Sequence, residues 1–495
     1  MMKPPSQESS SSTDTFSSEP PPPSSESAEA TSTEETVESG PADEYVWPSH
    51  PEIPKLETGN FLLVTLQQIL HRVAWIFKTE SVIMPAVLDQ VSGSGVVRGI
   101  LPIFNRFGQS VPPIFFASFL AQRGKKKWAL FSVILFLSMP FAVLSVGWFL
   151  FYSPSGSEKS LLMTVLFLAM YCVFFIAQGL YLLCMGTIQG KLIRPNLRGR
   201  LLLSANLFGA VPACLLAWYL LGDWLRRPDS GFGHIFGFIA CGFFISALVV
   251  TFLREPADSP KKGRQPQFGS LGELVSVIRE DKNLLQLMFA AATFGTNLII
   301  FPHYQAFARE SFGLSGIHLL HWVIIQQIAV GLFSLLIGLT ADRWGNRLTL
   351  QLVVFGSATG PALAAAFSWL SPQFAAPLFW IIFVALGIVP MVLRILTNYT
   401  LEICAIADQP RYLSTVNLAL ACSFVLAPFA GWLVDVVGFR FVFLTVMGFN
   451  ILSGLITLRL IEPRHHDASS SSSSSSAASR SRESITQAKR PNNRA

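Results

Sequence analysis

GLTADRWGNR, residues Gly338 to Arg347, falls where a long apolar stretch gives way to a short basic loop before a second apolar stretch begins. About 220 residues earlier, ASFLAQRGKKK from Ala117 to Lys127 occupies the same kind of position. Each copy ends one hydrophobic helix and opens another, so the chain reads as two halves built on one plan. A second match keeps the register. RLLLSANLFGA from Arg200 pairs with RYLSTVNLALA from Arg411, with Asn206 opposite Asn417. Both segments open the fifth span of their half, the place that six-plus-six symmetry requires.

Composition narrows the class. The 495 residues are 51% hydrophobic and 13% charged, and mean hydropathy is +0.47 despite Ser-rich ends. That balance is too apolar for a soluble globule. Forty-one Phe and eleven Trp suit lipid contact and interfacial anchoring. A net charge of +6 raises nucleic-acid binding, but the Lys and Arg cluster in short loops between apolar runs rather than along one face. The six cysteines are scattered, with no CxxC pair and no His at zinc-ligand spacing, and read as small apolar fillers of helices.

A helix needs about 20 apolar residues to cross a bilayer. Twelve stretches qualify, at approximately 66–90, 97–120, 128–151, 161–189, 200–221, 232–253, 284–307, 317–340, 348–369, 377–400, 411–436 and 440–461. The apolar pattern already begins at Phe61, which leaves open a separate surface helix over 61–70. The expected organisation is a disordered acidic tail over 1–59 and a six-helix bundle over 60–253. A polar linker over 254–283, a second six-helix bundle over 284–462 and a disordered Ser-rich tail over 463–495 follow. Basic residues collect at alternate junctions: Arg123 and Lys125 to Lys127; Lys191, Arg194 and Arg198; Arg254, Lys261, Lys262 and Arg264; Arg343 and Arg347. By the positive-inside tendency both termini lie in the cytosol, with the chain in the cell (inner) membrane.

The glycine spacing and Asp-Arg pair of GLTADRWGNR resemble the loop signature of the major facilitator superfamily, which joins helices 2 and 3 of one half and 8 and 9 of the other. The resemblance covers roughly residues 60–462. It implies an all-α integral membrane fold of twelve transmembrane helices in two pseudo-symmetric six-helix bundles. It further implies a secondary transporter that moves a small solute by alternating access, with a proton as the candidate coupling ion. No ATP-hydrolysing domain is visible, so an ion gradient or the solute's own gradient supplies the energy. No cofactor is expected; the partners are a small solute, polar or anionic given Arg106 and Arg394, and the lipid bilayer. Gly338 is expected to permit close helix packing, Gly345 the tight turn, and Asp342 to place an anion at the cytosolic rim near Arg198 or Arg200 at the start of span 5. Arg343 and Arg347 supply the basic side of the gate and help orient the chain. The first-half copy departs from the pattern, with Ala121 and Gln122 where the acid and arginine belong. Cytosolic closure is therefore expected to lean on the Asp342 side.

Ionisable groups inside a bilayer are expensive, so each is a functional candidate. Lys78 and Glu80 are two apart; on a continuous helix they face nearly opposite sides and do not pair. Glu80 has two readings, a structural ion pair with Arg106 or a binding site for the coupling proton. Aligning the halves by Pro85 and Pro302 sets Glu80 opposite Asn297, and aligning them by the loops sets Asn105 and Arg106 opposite Gln326 and Gln327. The resemblance implies a cavity walled by spans 1, 4, 7 and 10. On that basis Glu80, Gln178, Asn297, His303, Tyr304, Arg394 and Asn398 are the lining candidates, with Arg106 added from span 2. Arg394 either holds an anionic substrate group or contacts backbone carbonyls near Pro390. His318 and His321 share a helix face, but two ligands are too few for a metal site.

No enzyme is expected. Gly186 to Lys191 gives GxxxGK, one residue short of a phosphate loop and on a membrane helix, and neither GxSxG nor HExxH occurs. The alternative is a transporter-like membrane sensor or assembly protein that binds a ligand without translocating it, which suits the degraded first-half signature and the long tails.

Overall fold

The computed structural model describes residues 52–152, 160–227, 231–257, 281–404 and 408–462. The expected tails, apart from 52–59, and most of the expected linker lie outside the described residues. Among the described residues every regular element is helical. They make twelve passes. The first half comprises span 1 (Ile53–Phe77 and Ile83–Val91), span 2 (Gly95–Ser110 and Pro112–Ala121) and span 3 (Lys127–Phe151). Span 4 (Leu161–Leu192), span 5 (Pro195–Leu216, continuing to Leu225) and span 6 (Phe232–Thr251) complete it. The second half has span 7 (Lys282–Ile299 and Phe301–Phe312), span 8 (Ile317–Trp344) and span 9 (Asn346–Ser357 and Thr359–Phe367). It closes with span 10 (Pro372 to Glu402 in three pieces), span 11 (Gln409–Phe424 and Ala427–Val437) and span 12 (Phe439–Thr457).

Ten of these, spans 3 to 12, are long and apolar enough to cross a membrane. Spans 1 and 2 fall short of that measure; they are interrupted and carry Lys78, Glu80, Arg98 and Arg106. Large apolar side chains such as Leu62, Phe149, Leu332 and Phe374 ring the outside. A soluble monomer rarely exposes so much apolar surface; lipid is its natural solvent.

The interruptions have a common cause. Proline lacks the amide hydrogen that an inner helical turn needs, and its ring crowds the carbonyl four residues earlier. Pro85 in span 1 therefore disturbs the chain near Ser81, and residues 78–82 are not helical. Pro302 breaks span 7 at Ile300, Pro390 breaks span 10 at Gly387 and Ile388, and Pro428 breaks span 11 at Val425 and Leu426. Unwound backbone at membrane depth is tolerated where it lines a hydrated cavity or is buried in protein.

The first helix begins at Ile53, upstream of the expected bundle start at 60, and runs unbroken through 61–70, so no separate surface helix exists there. Its early residues are tied into the bundle. The buried Glu57 carboxylate accepts from the Arg194 backbone amide at 2.9 Å and from its Nε at 2.7 Å, capping the start of span 5. Asn60 exchanges both backbone bonds of Arg254, at 2.9 and 3.0 Å. Its counterpart Asn283 accepts from the Ile461 amide at 3.0 Å, so each half ties the start of its first helix to the end of its last.

Carboxylates likewise tie the third helix of each half to the fourth. Glu255, from the segment expected as linker, is buried. It accepts from the amides of Lys126 and Lys127 at 3.0 and 2.7 Å and from Lys191 Nζ at 2.8 Å. In the second half Asn346 donates to Glu402 at 2.6 Å. The turn Gly345, with φ at +87°, joins spans 8 and 9 in a conformation that disfavours side chains, as its place in the loop requires.

Candidate functional site

The breaks in spans 1, 7 and 10 open onto one cavity of about 330 Å³, which spans 2, 8 and 11 help to enclose. Polar groups on its wall are Thr79, Glu80 and Ser81 from span 1, Asn105, Arg106 and Gln109 from span 2, and Gln326 and Gln327 from span 8. Trp75, Phe301 and Phe424 supply flat apolar faces. A second cavity of about 410 Å³ continues on the other side of Trp75, between spans 1, 4 and 5, and is lined by His71, Arg72, Gln178 and Gln189 among others. A third of about 150 Å³ runs from Arg106 along spans 10 and 11 to Thr400 and Leu413. The hollow thus extends towards the end of the bundle that carries the GLTADRWGNR loop.

Lys78 and Glu80 correct the first expectation. They do pair, Nζ to Oε1 at 2.7 Å, because the helix stops at Phe77 and residues two apart are no longer held on opposite sides. The Lys78 ammonium is fully buried in a ring of aromatic faces, 3.9 Å from the Trp75 centroid, 4.3 Å from Phe175, 4.9 Å from Phe174 and 5.5 Å from Tyr171. The other Glu80 oxygen accepts from Asn105 Nδ2 at 2.5 Å, and Asn105 in turn accepts from Gln109. Arg106 is therefore not the ion-pair partner of Glu80. Its guanidinium lies over Phe424, 5.2 Å from the ring centroid, facing the cavity.

The other candidates divide. Gln178 is buried and lines the second cavity, its Oε1 without a partner among the described residues. Arg394 and Asn398 are exposed on span 10, and Arg394 donates to Ser334 Oγ of span 8 at 3.0 Å rather than to carbonyls near Pro390. Asn297 does not reach the cavity. It donates to Ser357 O at 2.9 Å and to Asn450 Oδ1 at 3.1 Å, a buried knot joining spans 7, 9 and 12. Tyr304 is buried against Phe443, ring centroids 5.0 Å apart, and His303 is buried near Arg98; neither lines the cavity. Both follow Pro302 in the helix Phe301–Phe312 and are buried within the bundle rather than on the wall that Phe301 and Pro302 form. Asn105, Arg106, Gln326 and Gln327, which the alignment of the halves set opposite one another, line the same cavity.

Sequence reasoning missed the far end of the bundle. There Arg98 of span 2 bonds Asp89 of span 1 at 2.5 Å and reaches across to Glu310 of span 7 at 3.3 Å and Asp435 of span 11 at 3.9 Å. Arg309 of span 7 faces Asp89 at 3.5 Å and Glu310 at 3.1 Å. The Gly95 amide, first in span 2, donates to both Asp435 oxygens at 3.1 and 2.9 Å, placing an anion at a helix N-terminus. The two backbones nearly touch, since a Cβ on Gly431 would lie 2.0 Å from the Gly95 carbonyl oxygen. Charges closing the first helix of both halves, Asp89 and Arg309-Glu310, were the available signal.

The signature end is arranged differently. Arg198 donates to the carbonyls of Gly190 and Ile193 in its own half, and neither Arg198 nor Arg200 pairs with Asp342 within 4.0 Å. Nothing lies within 4 Å of where a Gly338 Cβ would stand, so close packing on Gly338 is not found in this state. The charged network joins the halves at the far end, while at the signature end Arg198 is held by carbonyls of its own half rather than by Asp342.

Two six-helix halves around a polar hollow, joined at one end by a charged network, define a polytopic carrier. The sequence profile described as Major Facilitator Superfamily matches residues 81–401 and 299–493, and the chain belongs to that family. No curated protein matches the sequence. Among solved structures the fold is similar to a variant of the nucleoside transporter NupG at 12% identity, covering 81% of this chain and 100% of that one with a TM-score of 0.62. It is similar to a D-xylose-proton symporter at 14% identity, covering 82% and 98% with a TM-score of 0.60. An inward-facing bacterial homologue of the human lysosomal transporter Spinster matches at 12% identity, covering 82% and 97% with a TM-score of 0.59. The chain is a multi-pass membrane protein and a secondary transporter.

Proposed function

We infer that this carrier moves its solute through the hollow between the halves, coupled to a proton held by Glu80. It sits in the cell membrane with the signature end and both termini in the cytosol, a state open to the inside. One observation carries the coupling. Glu80 is the single carboxylate on the wall of the main cavity, placed on unwound backbone and joined to Lys78 at 2.7 Å. Protonation of Glu80 removes its attraction for Lys78 and frees Asn105, changing charge and shape at the point where spans 1 and 2 meet the solute. The basic loops support the orientation. Its solute is small by the size of the cavity, and the sensor reading has no observation that favours it over the family's transport cycle.

The test is reconstitution of the full chain in proteoliposomes with Glu80→Gln. Exchange of preloaded solute is expected to survive, because the neutral amide mimics the protonated acid, while accumulation driven by a pH gradient is lost. Gradient-driven uptake equal to wild type in Glu80→Gln removes Glu80 from the coupling.

A further inference from the structure

We propose that the solute is an organic anion with a flat apolar body, its anionic group received by the Arg106 guanidinium. The proposal rests on the carrier reading above and adds the substrate class.

Charge in the hollow is out of balance. Lys78 and Glu80 cancel one another, whereas Arg106 has no carboxylate within 4.0 Å among the described residues. Among the described residues Arg72, on the wall of the second cavity, bonds the neutral Asn206 Oδ1, at 2.8 Å, and Arg394 the neutral Ser334. Two guanidiniums, Arg106 and Arg72, thus line cavities whose main wall offers a single, already paired, carboxylate. Uncompensated charge in a protein interior is costly, and an anion in the hollow offsets that cost. A like-charged mouth also concentrates anions and speeds their entry.

The neutral wall groups sharpen the class. Ser81 donates to Gln326 at 2.5 Å, Asn105 donates to Glu80, Gln109 donates to Asn105, and Thr79 accepts from the Ile83 amide. These contacts use part of each group's capacity, whereas Arg106 and Gln327 are wall groups without any hydrogen bond among the described residues. A single anionic head finds a forked donor in Arg106, and a planar body finds Trp75, Phe301 and Phe424.

The test uses the purified full chain and matched pairs of acid and amide: indole-3-acetate with indole-3-acetamide, benzoate with benzamide, and 2-naphthoate with 2-naphthamide, beside inorganic phosphate. Binding is read by thermal shift and transport by counterflow in proteoliposomes. At least one acid is expected to bind tenfold or more tighter than its amide, with phosphate weaker than that acid. Arg106→Gln is expected to erase the acid's advantage, and Arg106→Lys to keep part of it. Amides binding as well as acids, no acid binding, phosphate binding as tightly as the best acid, or an unchanged preference in a folded Arg106→Gln protein each overturn the proposal. If Arg106→Gln does not fold, loss of none of the preference in Arg106→Lys overturns it, because a point charge does not reproduce the fork. Acids that bind without counterflow defeat the carrier reading and leave the anion class standing.

Discussion

Gly431→Ala probes the sealed end with one methyl group. Its Cβ would stand 2.0 Å from the Gly95 carbonyl oxygen, whereas ordinary contact begins at 3.4 Å, so spans 2 and 11 must separate by 1.4 Å (3.4 less 2.0) at that point. The obstacle is backbone on both sides and has no rotamer to yield. The same displacement stretches the shorter Gly95–Asp435 bond from 2.9 Å to well past hydrogen-bonding distance. Overpacking of this kind costs about 1–3 kcal/mol. A hydrogen bond to a charged acceptor contributes about 1.5–3 kcal/mol, and the partly exposed Asp435 belongs at the low end of that range. Together they weaken the far-end-closed state by about 3 kcal/mol, roughly a hundredfold in the equilibrium between the two states. Spin labels at Ser92 and Val437, just outside the contact on the two halves, read the outcome as a distance distribution. A longer component should appear and dominate in Gly431→Ala, and counterflow should slow because one of the two states is now disfavoured. An unchanged distribution with unchanged counterflow refutes the argument that this glycine pair seals the far end.

Two further substitutions separate scaffold from site. Glu255→Gln removes the buried carboxylate that accepts from Lys191 and from the Lys126 and Lys127 amides; a fall in the Tm of the purified protein is expected, and an unchanged Tm would show the clamp to be dispensable. Asn297→Ala empties the knot with Ser357 and Asn450, costing about 1–3 kcal/mol. The expected result is a lower Tm with a counterflow KM within about twofold of wild type, whereas a large KM change would return Asn297 to the binding wall.

The class of fold was legible because lipid imposes long apolar runs and because duplication leaves its register in turn residues, which tolerate little change. Gly345 could be read in this way, since one loop geometry demands it. The cavity wall was half legible. Glu80 and Arg106 announced themselves by charge at depth, and Gln326 and Gln327 by symmetry, but of the expected walls span 4 lines only the second cavity, and spans 2, 8 and 11 join spans 1, 7 and 10 around the first. Helix rotation decides which face meets the hollow, and a span apolar all round does not reveal it. The Lys78–Glu80 pair was misread because helical periodicity was extended through residues that Pro85 unwinds. The proline lay in plain view; its effect four residues upstream was the step not taken. The far-end network was missed because hydropathy treats charges at span ends as boundaries, while in the folded chain the buried Asp89 and Arg98 join residues more than 200 positions away.

The ion pairs fall into two groups, and the division says what can move. Glu57–Arg194 and Glu255–Lys191, like the Asn346–Glu402 hydrogen bond, join elements of one half to each other, so they hold whichever way the halves rock. The far-end network joins one half to the other, as the neutral Ser81–Gln326 hydrogen bond also does, and its composition makes it separable. Parting the halves leaves Asp89 with Arg98 in the first and Arg309 with Glu310 in the second, two pairs that remain neutral. The group that loses its partners is Asp435, already 39% exposed and able to take up water as the Gly95 amide withdraws. A buried charge left alone would make opening prohibitive; here none is left. The seal therefore opens at the expense of hydrogen bonds and close backbone packing rather than of stranded charge, which keeps both states within reach of a solute and a proton that bind a few kcal/mol better to one than to the other.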